Sequence, residues 1–590
     1  MKKCLMFLIL LTLLPVPSLA ETGAHRIEQR SVPVYCTDLQ DWRSAEEMVL
    51  IPDFPLYSVD GVKDLPYVDL SEFVNLVNRV DAFDSRDPFG AEPEAKEDYA
   101  CSADEDGVFV CAYQPQQSQV IIDFNFGTLT YTCMDTFGKD PAYSPFEIQT
   151  NELDFLQRVY NPKVSRLGGP KTLPLLDYGI PMIHQDGKYL IPLHTAFDFL
   201  MWAAKAPAKI LCCNGAAVFI GARDTMFGYS DAPSDLGEIY FAQQPAKRSP
   251  ELAEYGYNEL CLMLDFFYGL KSSHHIDSFR GFFRNNGYEE MLLSADPAEA
   301  DQALVDVIRF TLDDFHSNFN FSSWMTGFEA EQSFEGQSLS SAIYYKNAAA
   351  FEQAFSESGL DGLEFYAESG NTAYLTLYAM NTAVDSDRFY SMSLEDPNNI
   401  GYRDAVEQIL YAHAQINREN SPIENVVLDL SLNPGGDVNS AACVLSWFLG
   451  EGYVTIANSF TGALGVGQYK ADINRDHQFT EEDSLRGRKK LFCLISPLTF
   501  SSANMTAAMM KMSGAVTMIG QTTKGGSGIV TPSVSGWDTI FTLSGFRTVV
   551  TLKNGSWYDA DVGVVPDVYL SDPDVFYNRD KLTEIVNAIH

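Results

Sequence analysis

Residues 425–440 read NVVLDLSLNPGGDVNS. An apolar run suited to a buried strand meets a Pro-Gly-Gly turn and then the start of a helix. Glycines at 435 and 436 let backbone N–H groups approach a ligand closely, the geometry an oxyanion hole needs. The same architecture recurs downstream. KLFCLIS (490–496) is a second apolar strand, and the PLTFSSANMTAAMMKM that follows places Ser501 and Ser502 at a strand end and at the start of an Ala- and Met-rich helix. A hydroxyl there faces the positive end of the helix dipole, and the next backbone N–H can help hold a developing oxyanion. Each feature alone is also what an ordinary tight turn or a serine N-cap produces.

Outward from these stretches, TAYLTLYAM (372–380) and AVTMIG (515–520) are further short apolar runs with helical patterns between them. Strands alternating with helices predict parallel pairing through crossover connections, with functional groups where strands end. Residues 251–316 read as several helices, including PAEADQALVDVIRFTLDDF, whose apolar residues recur every three or four positions. Upstream of the link QQPAKRSP (243–250) the pattern changes to short apolar runs broken by Gly, Pro, Asn and Asp. VIIDFNFGTLTYTCM (120–134) and ILCCNGAAVFIGA (210–222) each predict two strands about a turn. LPYVDLSEFVNLVN (65–78) and YLIPLHTAFDFLMW (189–202) form a weak internal repeat, an extended piece leading into a helix. This β-rich part reads as an accessory region that binds, shields or positions something.

The chain has 590 residues, 46% hydrophobic and 20% charged, an ordinary globular balance at a length that calls for about two to four domains. Its 79 acidic residues against 40 basic ones give a net charge of −39, a surface that repels phosphate backbones and anionic lipid headgroups; no nucleic-acid partner is expected. The amino terminus, MKKCLMFLILLTLLPVPSLA, reads as a cleavable secretory signal over residues 1–20 with the mature chain starting near Glu21. Its apolar run falls short of the roughly 20 residues that span a bilayer, and no later segment is apolar enough to do so. A soluble or surface-retained chain outside the cytoplasm is expected. Of ten cysteines, Cys4 lies in the leader and an odd number remains. Cys101 and Cys111 flank a turn and are placed to close a hairpin, with Cys133, Cys212 and Cys213 as other disulfide candidates. Cys443 and Cys493 lie in apolar runs that suit buried thiols.

Five segments in order resemble the S41 family of serine peptidases, the tail-specific or carboxy-terminal processing proteases and their tricorn-core relatives. They are LDDFHS around His316, NVVLDLSLNPGG, TFSSAN, IGQTTKGGSG and VGVVPDVYL. The resemblance covers roughly residues 255–590. It implies an α/β fold with a ClpP/crotonase-like protease core (251–590, with a helical lead-in 251–316) beside the β-rich α+β accessory region (21–250). It also implies hydrolysis of polypeptide substrates through an acyl-enzyme, with no cofactor required for catalysis. Ser501 aligns with the nucleophile and Ser502 is the runner-up. The amides of Gly435, Gly436 and Ser502 are the candidate oxyanion donors. One branch of the family uses a lysine as base, but the matching position is Gly526 and Lys524 lies two places short. The tricorn-like branch uses a histidine, which His316 fits, and imidazole titrates near neutral pH whereas lysine must lose several units to act as a base. The carboxylate that branch places before its closing segment falls at Ala560, flanked by Asp559 and Asp561, either of which could substitute. Between His316 and Thr372 there is too little chain for the PDZ module that many tail-specific proteases carry. The alternative function is a catalytically inactive extracellular binding protein that keeps the S41 fold. Oligomeric state is not legible.

DINRDHQFTEED (472–483) places oxygen-bearing residues Asp472, Asn474, Asp476, Gln478, Thr480 and Asp483 at the spacing of an EF-hand-like loop, a candidate structural Ca2+ site. His477 stands where such a loop has glycine and would need an unfavourable backbone conformation.

Overall fold

The computed structural model describes residues 24–37, 45–84, 98–136, 153–159, 166–202, 210–221, 234–242, 247–327, 339–360, 364–401, 403–553 and 556–589. The leader-like residues 1–20 and the first part of the 243–250 link lie outside the described residues.

The strand Asn425–Asp429 is buried along its whole length. A run of Val and Leu with no polar face can be satisfied only between two covering layers. It lies inside a six-stranded sheet, with Thr372–Thr376 on one side and Lys490–Ile495 on the other, all parallel. Val516–Gly520 and Val568–Tyr569 continue the parallel order, and Tyr366–Ser369 forms an antiparallel edge. The four expected apolar strands are therefore neighbours in chain order. Successive side chains alternate between layers. Val426, Leu428, Leu491 and Cys493 enter a core shared with the helices Ala405–Ile416, Val438–Leu449 and Ser501–Ser513. Val427, Phe492 and Leu494 face the other layer, where Leu339–Glu357, Pro573–Tyr577 and Arg579–Ala588 pack.

A second sheet is built around the long strand Ile540–Lys553, which pairs with Asn318–Phe321, Gly452–Asn458, Gly528–Val534 and Ser556–Asp559. It joins regions far apart in the chain: the register Asn318↔Thr542 seats the segment of His316 beside the strand that also holds Gly528–Val534.

The N-terminal region is β-rich as expected, with one seven-stranded and one five-stranded sheet. Both expected hairpins form, Ser118–Asp123 with Thr128–Tyr131 and Ile210–Cys213 with Val218–Gly221. The internal repeat is structural as well. Val62–Asp69 runs into the helix Leu70–Asp84, Lys188–Pro192 runs into Leu193–Ala196, and the two strands pair antiparallel through Leu190↔Asp69. One hydrophobic core takes in these sheets, the helix Pro250–Phe267 and residues from Val534 to Phe546. The helical lead-in thus packs with the accessory sheets rather than apart from them. Cys101 and Cys111 face each other across the ladder of Tyr99–Ala103 and Val108–Tyr113. They and Cys133, Cys212 and Cys213 are thiols, and Cys443 and Cys493 are buried thiols. No described helix is long and apolar enough to cross a membrane.

Candidate active site

Ser501 opens the helix Ser501–Ser513 directly after the sheet strand Lys490–Ile495 and its turn. Its φ of 53° is left-handed, uncommon for a residue with a Cβ, and its amide donates to the Gly525 carbonyl at 2.9 Å. The hydroxyl is thereby turned off the end of the helix. Gly435, with φ 108°, lies against it: a Cβ there would come within 2.7 Å of Ser501 Cβ and 2.9 Å of the Phe500 carbonyl. That close approach is the reason for glycine at the turn.

His316 reaches the same point from the other sheet. Its Nε2 lies 2.9 Å from Ser501 Oγ. The ring is nearly buried and packs 4.7 Å from the Phe500 ring. Burial pushes the imidazole pKa below its ordinary value, against the opposing pull of the Asp314 and Asp561 charges and the Gly528 backbone. Asp314 fixes the backbone of this segment, accepting from His316 N at 3.0 Å, Ser317 Oγ at 2.6 Å and Ser544 Oγ at 3.0 Å. His316 Nδ1 is buried without a hydrogen-bond partner among the described residues.

Asp561 and Asp559 part company. Asp561 accepts from the amides of Gly526 at 3.0 Å and Ser527 at 3.3 Å, holding the glycine loop beside the nucleophile, and its charge acts on the imidazole. Asp559 instead caps the turn, accepting from Asp561 N at 2.9 Å. Burial raises its pKa. Of the two aspartates, Asp561 is the one whose charge bears on the imidazole.

Gly435 as an oxyanion donor is corrected. Its N–H donates to Asn433 Oδ1 at 2.8 Å, so it supplies space rather than a free amide. The amides of Gly436 and Ser502 have no acceptor among the described residues, and the Gly436 backbone is exposed. The Ser502 hydroxyl is buried without a hydrogen-bond partner among the described residues and Ser501, not Ser502, meets the imidazole. The Lys524 ammonium lies 4.5 Å from the Phe315 ring centroid, whereas the group in hydrogen-bond reach of Ser501 Oγ is the His316 imidazole.

Sequence reasoning missed the residues that lash these segments together. Asn433 Nδ2 donates to the Leu377 carbonyl at 2.9 Å while its oxygen takes the Gly435 amide. Thr523 Oγ1 donates to Asn504 Oδ1 at 2.6 Å and accepts from Val564 N at 2.6 Å, and Asn504 Nδ2 donates to the Ala560 carbonyl at 3.0 Å. A polar side chain inside each otherwise apolar motif was the available signal.

The acidic loop lies outside this cluster. Asp472 accepts from the amides of Asp476 and His477, at 3.1 and 2.8 Å, and from the Tyr390 hydroxyl at 3.0 Å. Asp483 accepts from the amides of Asn474 and Thr480, at 3.0 and 2.7 Å. Asn474 and Asp476 likewise accept from the amides of Asp476 and Gln478. His477 takes the expected left-handed conformation, φ 61°, with its ring stacked 4.1 Å from Tyr390. Among the described residues no group of three or more His, Cys, Asp or Glu side chains is gathered to hold a metal ion.

Residues 371–570 match the sequence model of Peptidase family S41. A search of curated proteins found no match. Among solved structures, this chain is similar to a photosystem II D1 C-terminal processing protease, at 21% identity and a TM-score of 0.25, over 35% of this chain and 43% of that one. The alignment thus spans less than half the length of that protease. A peptidase structure from Parabacteroides merdae aligns over 58% of this chain and 96% of its own, at 17% identity and a TM-score of 0.37. Mature CPAF aligns over 57% and 97%, at 11% identity and 0.35.

Proposed function

We propose that the chain, whose residues 371–570 match the model of Peptidase family S41, is an exported serine peptidase that cleaves polypeptides through an acyl-enzyme. The 2.9 Å contact between His316 Nε2 and Ser501 Oγ carries this reading. Ser501 Oγ attacks the scissile carbonyl carbon while its proton passes to Nε2, and the carbonyl electron pair moves onto oxygen. The amides of Gly436 and Ser502 stabilise that oxyanion. Collapse breaks the C–N bond, His316 returns the proton to the leaving amine, and water repeats the sequence to free the acid. Asp561 steadies the imidazolium as it forms and keeps the glycine loop in place.

Export rests on the leader-like first 20 residues. Structural calcium at 472–483 rests on the spacing of Asp472, Asn474, Asp476, Gln478, Thr480 and Asp483.

The deciding experiment is labelling with a fluorophosphonate. Wild-type protein is expected to label and Ser501→Ala to stay blank, and His316→Ala is expected to label far more slowly. A wild type that stays blank under conditions that label a control protease would favour the inactive binding protein instead.

A further inference from the structure

The rim of the site carries a cation that has no carboxylate partner among the described residues. Phe315, Tyr344, Phe500, Ser501 and Lys524 are all half-exposed. The three rings form a continuous wall, with Phe315 5.2 Å from Tyr344 and 5.8 Å from Phe500, and Phe500 in turn lies against the His316 imidazole. Lys524 is fastened to this wall at both ends. Its amide donates to the Thr499 carbonyl at 3.0 Å, and its ammonium sits 4.5 Å over the Phe315 ring. Stacking on the ring orients the ammonium without neutralising it. Three described lysines sit on carboxylates, Lys271 on Asp265, Lys470 on Glu451 and Lys511 on Asp567, while others, such as Lys188 on the Tyr57 hydroxyl, do not. Among the described residues Lys524 forms no ion pair, although the chain holds nearly twice as many acidic as basic residues.

A positive charge kept beside the nucleophile of an acidic protein attracts the opposite charge from whatever enters. Resting on the peptidase reading above, we infer that Lys524 is a specificity residue that favours substrates with an aspartate or glutamate side chain close to the scissile bond. The aromatic wall holds the substrate backbone and apolar groups while the ammonium takes the carboxylate.

The test uses internally quenched peptides blocked at both ends, with Glu or Gln in turn at each position flanking the cut. The wild type is expected to prefer Glu at one or more positions by about five-fold in kcat/KM, the size of a partly exposed ion pair, and the preference should shrink at high salt. Lys524→Met should bring the ratio close to one, and Lys524→Arg should keep most of it. An unchanged ratio in Lys524→Met, or a wild type indifferent to Glu, overturns the assignment while cleavage of the Gln peptides leaves the peptidase reading standing. A Lys524-dependent preference seen only for peptides with a free terminal carboxylate also overturns it. If no peptide is cut and Ser501 does not label, both readings fall together.

Discussion

At the scale of single residues, the site depends on two side chains that touch and on a glycine that lets them. Ser501 and His316 were legible in the sequence only through the resemblance of TFSSAN and LDDFHS to S41 motifs, since by itself a serine before a helix reads as an N-cap and a histidine after a helix as structural. Which amides remain free was not legible, because that depends on a third partner: Asn433 takes the Gly435 N–H, a contact no spacing announces. Gly435→Ala is expected to lower kcat/KM by at least about 100-fold with little change in the far-ultraviolet spectrum. A Cβ at φ 108° would press on Ser501 Cβ and shift the nucleophile, and misplacement by about 1 Å costs about that much. Activity close to wild type would show that Ser501 tolerates displacement and would count against it as nucleophile. The imidazole also sets a pH limb. Burial lowers the His316 pKa, so the neutral base persists to lower pH, and the acid limb of kcat/KM is expected to have its midpoint below the ordinary value of about 6.5. A midpoint near 8 or above in a profile of kcat/KM against pH would point to another group.

At the scale of elements, the parallel sheet was legible and the way the second sheet joins its parts was not. Asn425–Asp429, Lys490–Ile495 and Val516–Gly520 declare themselves as uninterrupted apolar runs, since strands buried on both faces have no polar alternation. Asn318–Phe321 and Ile540–Lys553 are far apart in the chain and carry mixed patterns, yet their pairing is what delivers His316 to Ser501. The loop 472–483 lies between. The spacing of its oxygens and the awkward backbone at His477 were both readable, and the compensation for that backbone, stacking on Tyr390, was not. Its carboxylates close the loop on backbone amides while crowding one another, and burial raises the Asp483 pKa with Asp472 and Asp476 adding to it. A bound cation would relieve that crowding. Millimolar calcium is expected to raise the melting temperature by a few degrees over chelator, and Asp472→Ala is expected to lose the rise. Identical melting curves with calcium and chelator would retire the site.

At the scale of the whole molecule, the accessory sheets meet the rest of the chain across buried charge that nothing in the sequence marked. His194 and Asp198 lie in the second copy of the internal repeat, YLIPLHTAFDFLMW (189–202). In the fold His194 Nε2 lies 3.2 Å from Asp538 Oδ1, and Asp538 also accepts from Trp324 Nε1 at 3.1 Å and from Cys213 N at 2.8 Å. Beside them Asp198 and Glu259 share one buried space. Burial pushes Asp198 up to about 6, against the opposing effects of the Glu259 hydrogen bond and the His194 charge, and pushes Glu259 well above its ordinary value with the Asp198 charge adding to it. For His194 burial acts downward, but Asp538 and Asp198 outweigh it and the net shift is upward. All three shifts have one sign: between the unfolded and folded pKa values the folded chain holds protons that the unfolded chain gives up. The stability they contribute is therefore full below about pH 4 and is lost as pH rises through about 6 and beyond. The melting temperature is expected to fall from pH 5 to pH 8. Part of any such fall belongs to the general acidic excess, so the informative quantity is the difference between wild type and an Asp198→Asn, Glu259→Gln variant, which keeps the shape of the pair while removing its titration. That variant should lose much of the pH dependence and be the more stable protein at pH 8. If its melting temperatures track the wild type at both pH values, the buried pair does not hold an extra proton, and the junction between accessory sheets and the rest of the chain is not pH-sensitive through these residues.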